Sequence, residues 1–92
     1  MTIVWSRRAI RHLINLRNYI ARDSPDSAAV VAARIVEAVE HLATYLNLGR
    51  PGHIAGTREL VVPDTPYLIP YRLRGSRIEL IAVFHGRQRW QI

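Results

Sequence analysis

Apolar residues recur along the chain with more than one spacing, and the changes of spacing divide it into elements. Ile3-Val4-Trp5 is short, β-branched and aromatic, which predicts a first strand. Ser6 is a suitable helix N-cap. From residue 7 to about 22, Ile10, Leu13, Ile14, Leu16 and Ile20 fall at helical spacing and predict one buried helical face. Arg7, Arg8, Arg11 and Arg17 lie mostly off that stripe and read as a solvated face. Asp23-Ser24-Pro25-Asp26 breaks and restarts the helix, with Ser24 as cap, Pro25 at the first helical position and Asp26 complementing the dipole. Ala28, Ala32, Ile35, Val39, Leu42 and Leu46 then form an apolar seam at alternating steps of four and three. Two helices joined by a tight turn predict an antiparallel hairpin. Glu37 and Glu40 fall off the seam.

Asn47-Leu48-Gly49-Arg50-Pro51-Gly52 ends the second helix, with Gly49 suited to a left-handed C-cap and Pro51 blocking continuation. Beyond it the period changes to two. Residues 57–62, 67–73 and 78–84 read as strands, separated by turns at 63–66 and 74–77. Three successive strands with short connections predict an antiparallel meander. Pro70 lies inside the middle strand and cannot donate to a ladder, so a bulge or an unpaired position is expected there. The predicted fold is α+β, with an N-terminal strand and a helix hairpin packed on a small, mostly antiparallel sheet.

At 92 residues the chain has room for one domain, residues 1–92. With no cysteine, it excludes disulfides, zinc-thiolate sites, iron–sulfur clusters and a thiol nucleophile. No apolar run approaches a membrane span, and the first residues lack a secretory pattern, so a soluble cytoplasmic protein is expected. All 13 cations are arginine, against 7 acidic residues, for a net charge of +6. Arginine forks onto phosphates and carboxylates, so nucleic acid or an acidic protein is the suitable partner.

Candidate chemistry is sparse. His12, His41 and His53 have no ligand-like spacing, so no metal is expected, and there is no Gly-rich phosphate loop or Ser/His/Asp signature. No cofactor is expected. His85 ends the last strand, where it serves as an acid or base, or as a cap that bonds a neighbour. Tyr67 and Tyr71 share a face and either stack bases or pack under a helix. Trp90, among Arg87, Arg89 and Gln91, either anchors a partner or folds back on the hairpin beside Trp5.

Four stretches in this order resemble the RelE/ParE superfamily of toxins, the toxin half of type II toxin–antitoxin pairs. They are Trp5-Ser6-Arg7-Arg8-Ala9, Gly49-Arg50-Pro51-Gly52, Thr57-Arg58-Glu59-Leu60-Val61-Val62, and Tyr67-Leu68-Ile69-Pro70-Tyr71-Arg72-Leu73 with the run from Ile78 to Trp90. The resemblance implies a microbial cytoplasmic toxin held inactive in a hetero-oligomer by an antitoxin encoded beside it. RelE-like members cleave mRNA on the ribosome; ParE-like members inhibit DNA gyrase. RelE-like nucleases typically carry an arginine directly after the first aromatic of the third strand, where this chain has Leu68. Val83-Phe84-His85 resembles ParE members more closely. The implied function is gyrase inhibition by binding, with Arg58, Arg72, His85, Arg87, Arg89 and Trp90 as the target-binding patch. The alternative is a ribosome-dependent mRNA endonuclease, in which His85 and Glu59 exchange protons and Arg58 and Arg87 hold phosphate. An inert interaction module is the third reading.

Overall fold

The computed structural model describes residues 1–87. In chain order the elements are β1 (Thr2–Trp5), α1 (Arg7–Ala21), α2 (Pro25–Leu42), β2 (Arg50–Pro51), β3 (Arg58–Val61), β4 (Tyr67–Arg74), β5 (Arg77–Leu80) and β6 (Phe84–His85). The sheet runs β1-β5-β4-β3-β2, and β6 pairs with β4. Every pairing is antiparallel except β1 with β5, which is parallel and sets Thr2 against Arg77 and Trp5 against Leu80. This is the expected α+β arrangement.

Both helix starts form as the sequence predicts. The Ser6 hydroxyl accepts from the Ala9 N–H at 3.0 Å, and Ser24 accepts from Ser27 at 3.2 Å, with Pro25 at the first helical position. The helices lie on one face of the sheet. Ile35, Val39 and Leu42 of α2 and Ala9 of α1 pack on Leu60, Ile69, Tyr71, Ile78 and Leu80. The α2 seam is as expected, with Leu46 packed on the core beyond its end.

Three expectations are corrected. In α1, Ile10 and Ile14 are 44% and 45% exposed. The predicted Leu13 and Leu16 do pack on the core, joined by Ala9, whose small side chain lets the start of the helix approach closely. Helix α2 stops at Leu42, and Gly49 does not cap it: the glycines at positive φ are Gly56 and Gly75. Gly75 opens the two-residue turn between β4 and β5, the position where a primed hairpin turn requires it.

The third correction concerns the last strand, which is not continuous. It leaves the ladder after Leu80 and resumes at Phe84. Three residues, 81–83, oppose two, Ile69 and Pro70. The Pro70 carbonyl faces this break and accepts from the Ile81 N–H at 2.8 Å, so the donor that proline lacks would face it too. The expected bulge therefore sits in the neighbouring strand, while β4 runs on through Pro70. Other elements satisfy the interrupted backbone. Ser6 donates its hydroxyl to the Ile81 carbonyl at 2.9 Å, and the Val83 N–H donates to His12 Nδ1 at 3.2 Å. Burial, then the charges of Arg11 and Arg8, hold the His12 imidazole below its ordinary range, which favours the neutral form able to accept.

Candidate functional site

Alternation along the strands assigns the candidate residues to different faces. Arg58 lies opposite Tyr71 and His85 opposite Tyr67, so both belong to the helix-facing side. Their partners are four residues apart on β4, a separation of about 13 Å. Glu59 lies opposite Pro70, and Arg72 opposite Glu79, on the face that carries no helix.

Each of these residues has a local partner. The Arg58 guanidinium donates to the Gly49 carbonyl at 2.8 Å. Glu59 is 1% exposed and receives two bonds, from Arg50 Nε at 3.2 Å and from His53 Nδ1 at 2.5 Å. Burial pushes its carboxyl up, but the His53 and Arg50 hydrogen bonds and charges outweigh this and hold it below its ordinary value of 4.5. An ionised carboxylate only accepts, so His53 Nδ1 carries the proton in this contact. His85 packs edge-on against Tyr67, centroids 5.7 Å apart, and its Nδ1 accepts from the Arg87 N–H at 3.1 Å. Arg89 and Trp90 lie outside the described residues.

Tyr71 is fully buried, so it packs under the helices and cannot stack a base. Tyr67 is half-buried on the same side. With His12, Tyr19 and His85 it lines a shallow recess of about 510 Å³ between α1 and β6.

The acid, base and phosphate-holding residues that RNA cleavage would need are thus not brought together. His85 and Arg87 sit near one end of β4, Arg58 sits toward the other, and Glu59 is buried on the opposite face. Leu68 is on the helix-free face between Val61 and Phe84.

Sequence reasoning missed the largest charged cluster among the described residues. Glu79 receives Arg72 Nε at 2.9 Å, with Arg74 Nε and Arg77 Nη2 each at 3.6 Å. The Arg72 bond is the first cause holding the Glu79 carboxyl below its ordinary range, with Arg74 and Arg77 adding to it. On sequence, Arg74 and Arg77 read only as turn residues. The signal for the cluster is nonetheless there: Arg74 follows Arg72 by two residues, and a tight hairpin places Arg77 opposite Arg74.

Residues 3–90 match the family model described as the ParE toxin of the type II toxin–antitoxin system, parDE. The chain belongs to the ParE toxin family. Among relatives of this ParE-family toxin, the Sinorhizobium fredii protein named "Putative toxin Y4kP" is 50% identical over 96% of this chain and 91% of its own length. The protein named Toxin RelE2, from Caulobacter vibrioides, is 36% identical over 91% of this chain and 93% of its own length. A solved structure titled "Chromosomal ParDE TA system from P. aeruginosa" matches with a TM-score of 0.83 at 27% identity, over 92% of this chain and 95% of that one.

The buried Glu59 gives the toxin an acid-sensitive joint between β3 and the 50–57 loop. Its folded-state pKa is depressed, so its contribution is fully present above about pH 4.5 and is lost as pH falls through the lowered value. Glu59→Gln should cost about 1 kcal/mol at pH 7, below the usual range for charged hydrogen bonds because both partners are more than half exposed. Urea unfolding at pH 7 and at pH 3 checks this: the gap between wild type and variant should narrow in acid. A gap that widens in acid would contradict the assignment.

Proposed function

We propose that this ParE-family toxin acts in the cytoplasm by binding DNA gyrase and stalling it with DNA cleaved, and that a cognate antitoxin neutralises it. The observation that carries this reading is the dispersal of the candidate catalytic groups along β4 and over two faces. General acid–base catalysis requires acid, base and charge stabiliser within reach of one phosphate. Arginines presented on an open sheet face suit binding instead.

A place for the antitoxin is also at hand. Strand β2 covers only Arg58 and Glu59, which among the described residues leaves the edge of β3 without a strand partner from Leu60 onward. A groove of about 450 Å³ runs between that edge and α2, lined by Ala38, His41, Leu48, Leu60 and Val61. An open edge beside apolar side chains suits an extended segment that folds on binding.

The test is a gyrase supercoiling assay with the purified, antitoxin-free chain. The expected result is cleaved DNA trapped at near-stoichiometric toxin, reversed by adding the antitoxin. Unimpaired supercoiling by a folded, toxic preparation would overturn the reading. The name RelE2 on one relative favours a second reading, cleavage of ribosome-bound mRNA. In that case the same preparation should cut mRNA on ribosomes and leave gyrase unaffected.

A further inference from the structure

The helix-free face of the sheet carries a concentration of positive charge that the contacts among the described residues do not fully neutralise. Arg72 and Arg74 project from β4 and Arg77 from β5, and all three converge on Glu79. Only Arg72 reaches hydrogen-bond distance; the other two stand at 3.6 Å. Three guanidiniums against one carboxylate leave an excess of two charges. Each guanidinium has five donors, and a carboxylate can accept only a few of them. The arginine side chains are 45–57% exposed, so their remaining donors face solvent. Arg8, at the start of α1, lines a recess of about 340 Å³ that also contains Arg72 and Glu79.

We infer that this arginine face binds the phosphate backbone of duplex DNA, without reading its sequence. Three features select that ligand. Guanidinium forks match phosphate oxygens in pairs. No aromatic side chain of β4 or β5 stands beside these arginines, because the tyrosines of β4 point to the helices, and the ring of Phe84, further along beside Leu68, packs on His12 of α1. Without stacking platforms, a single strand gains little here. Around the arginines the neighbours on this face are Thr2, Val4, Glu79 and the fully buried Pro70, so Val4 alone offers a peptide apolar surface, with no aromatic anchor of the kind that centres a protein interface. Glu79 then has a second role. It holds the three arginines together in the free toxin and competes with phosphate for them.

The inference goes beyond the gyrase reading and fails separately from it, because the test contains no gyrase. The full chain is titrated into a fluorescein-labelled duplex of about 20 bp, and anisotropy is followed at a series of salt concentrations. Replacing Arg72, Arg74 and Arg77 together with glutamine should weaken binding about tenfold or more and flatten the log–log salt slope by about 2.7. The triple variant Arg11→Gln, Arg17→Gln, Arg22→Gln, with the same net charge but altered on α1 and its C-cap, should keep the wild-type slope. Glu79→Gln should tighten binding several-fold and steepen the slope by about 0.9, a gain that a poorly folded variant cannot imitate. Equal losses in the two triple variants would reduce the effect to net charge and overturn the site. So would a Glu79→Gln variant that binds no better, or a single strand that binds more tightly than the duplex. Arginine-dependent binding of a polyglutamate peptide without binding of DNA would transfer the face to a protein partner and overturn it as well.

Discussion

Gly49→Ala should lower the melting temperature by about 10 °C or more, because a methyl group has no room at this position. A Cβ built there falls 2.6 Å from Tyr71 Cε1 and 2.8 Å from both the Tyr71 hydroxyl oxygen and the Glu59 carbonyl. The ring cannot swing aside cheaply. Its hydroxyl accepts from the Gly49 N–H at 2.9 Å and donates to the Leu46 carbonyl at 3.0 Å, and the side chain is fully buried. Overpacking of this kind costs about 2–3 kcal/mol. Gly56→Ala is the comparison. Gly56 has a φ of +80° and nothing within 4 Å of the position a methyl would take, so only backbone conformation is penalised, by about 1–2 kcal/mol. Thermal unfolding of both variants separates space from conformation. A Gly49→Ala protein that melts within about 3 °C of wild type would mean that Tyr71 relaxes freely, which its two hydrogen bonds argue against.

Ile35→Ala should cost about 3–4 kcal/mol, a large share of the roughly 5–15 kcal/mol that stabilises a small domain. Ile35 is fully buried in the seam of α2, among the cluster that joins helix to sheet. Truncation removes transfer energy and leaves a cavity that neighbours on three elements cannot fill together. Val36, one residue on, is 41% exposed, and Val36→Ala should change stability by less than about 1 kcal/mol. Denaturant titrations of the two variants measure the contrast. Equal losses would show that α2 turns a different face to the sheet.

The local signals are legible wherever a residue acts on its own segment. Ser6, Ser24 and Pro25 start the helices because capping is a matter of neighbouring backbone. The α2 seam is legible because it is long and regular, and the hairpin turn at 74–77 because Gly75 supplies the positive φ. The errors share a cause, which is that tertiary partners decide them. Nothing in residues 78–84 announces a break at 81–83; the break answers Pro70 on another strand and is held by Ser6 and His12, more than 70 positions away in the sequence. Gly49 looks like a helix cap and is instead the floor on which Tyr71 lies. Glu59 looks like a free base and is a buried anchor for Arg50 and His53, which join it only when β2 meets β3. Ile10 and Ile14 match the helical period yet stand one step around from the face that the sheet covers.

The parallel pairing of β1 with β5 ties residues 2–5 to residues 77–80, 75 positions further along the chain. Thr2 leaves the ribosome about 4–15 s before its partner Arg77 at ordinary translation speeds. Through that interval β1 has no ladder to join, and the helix hairpin has no finished sheet to cover. Such distant contacts make folding wait for the closing hairpin. A nascent chain interrupted before residue 77 therefore keeps its apolar helix faces open to water, a form that proteases degrade readily. Folding waits for the β4–β5 hairpin, so a toxin cut short before it is an unfolded one rather than a weakened one.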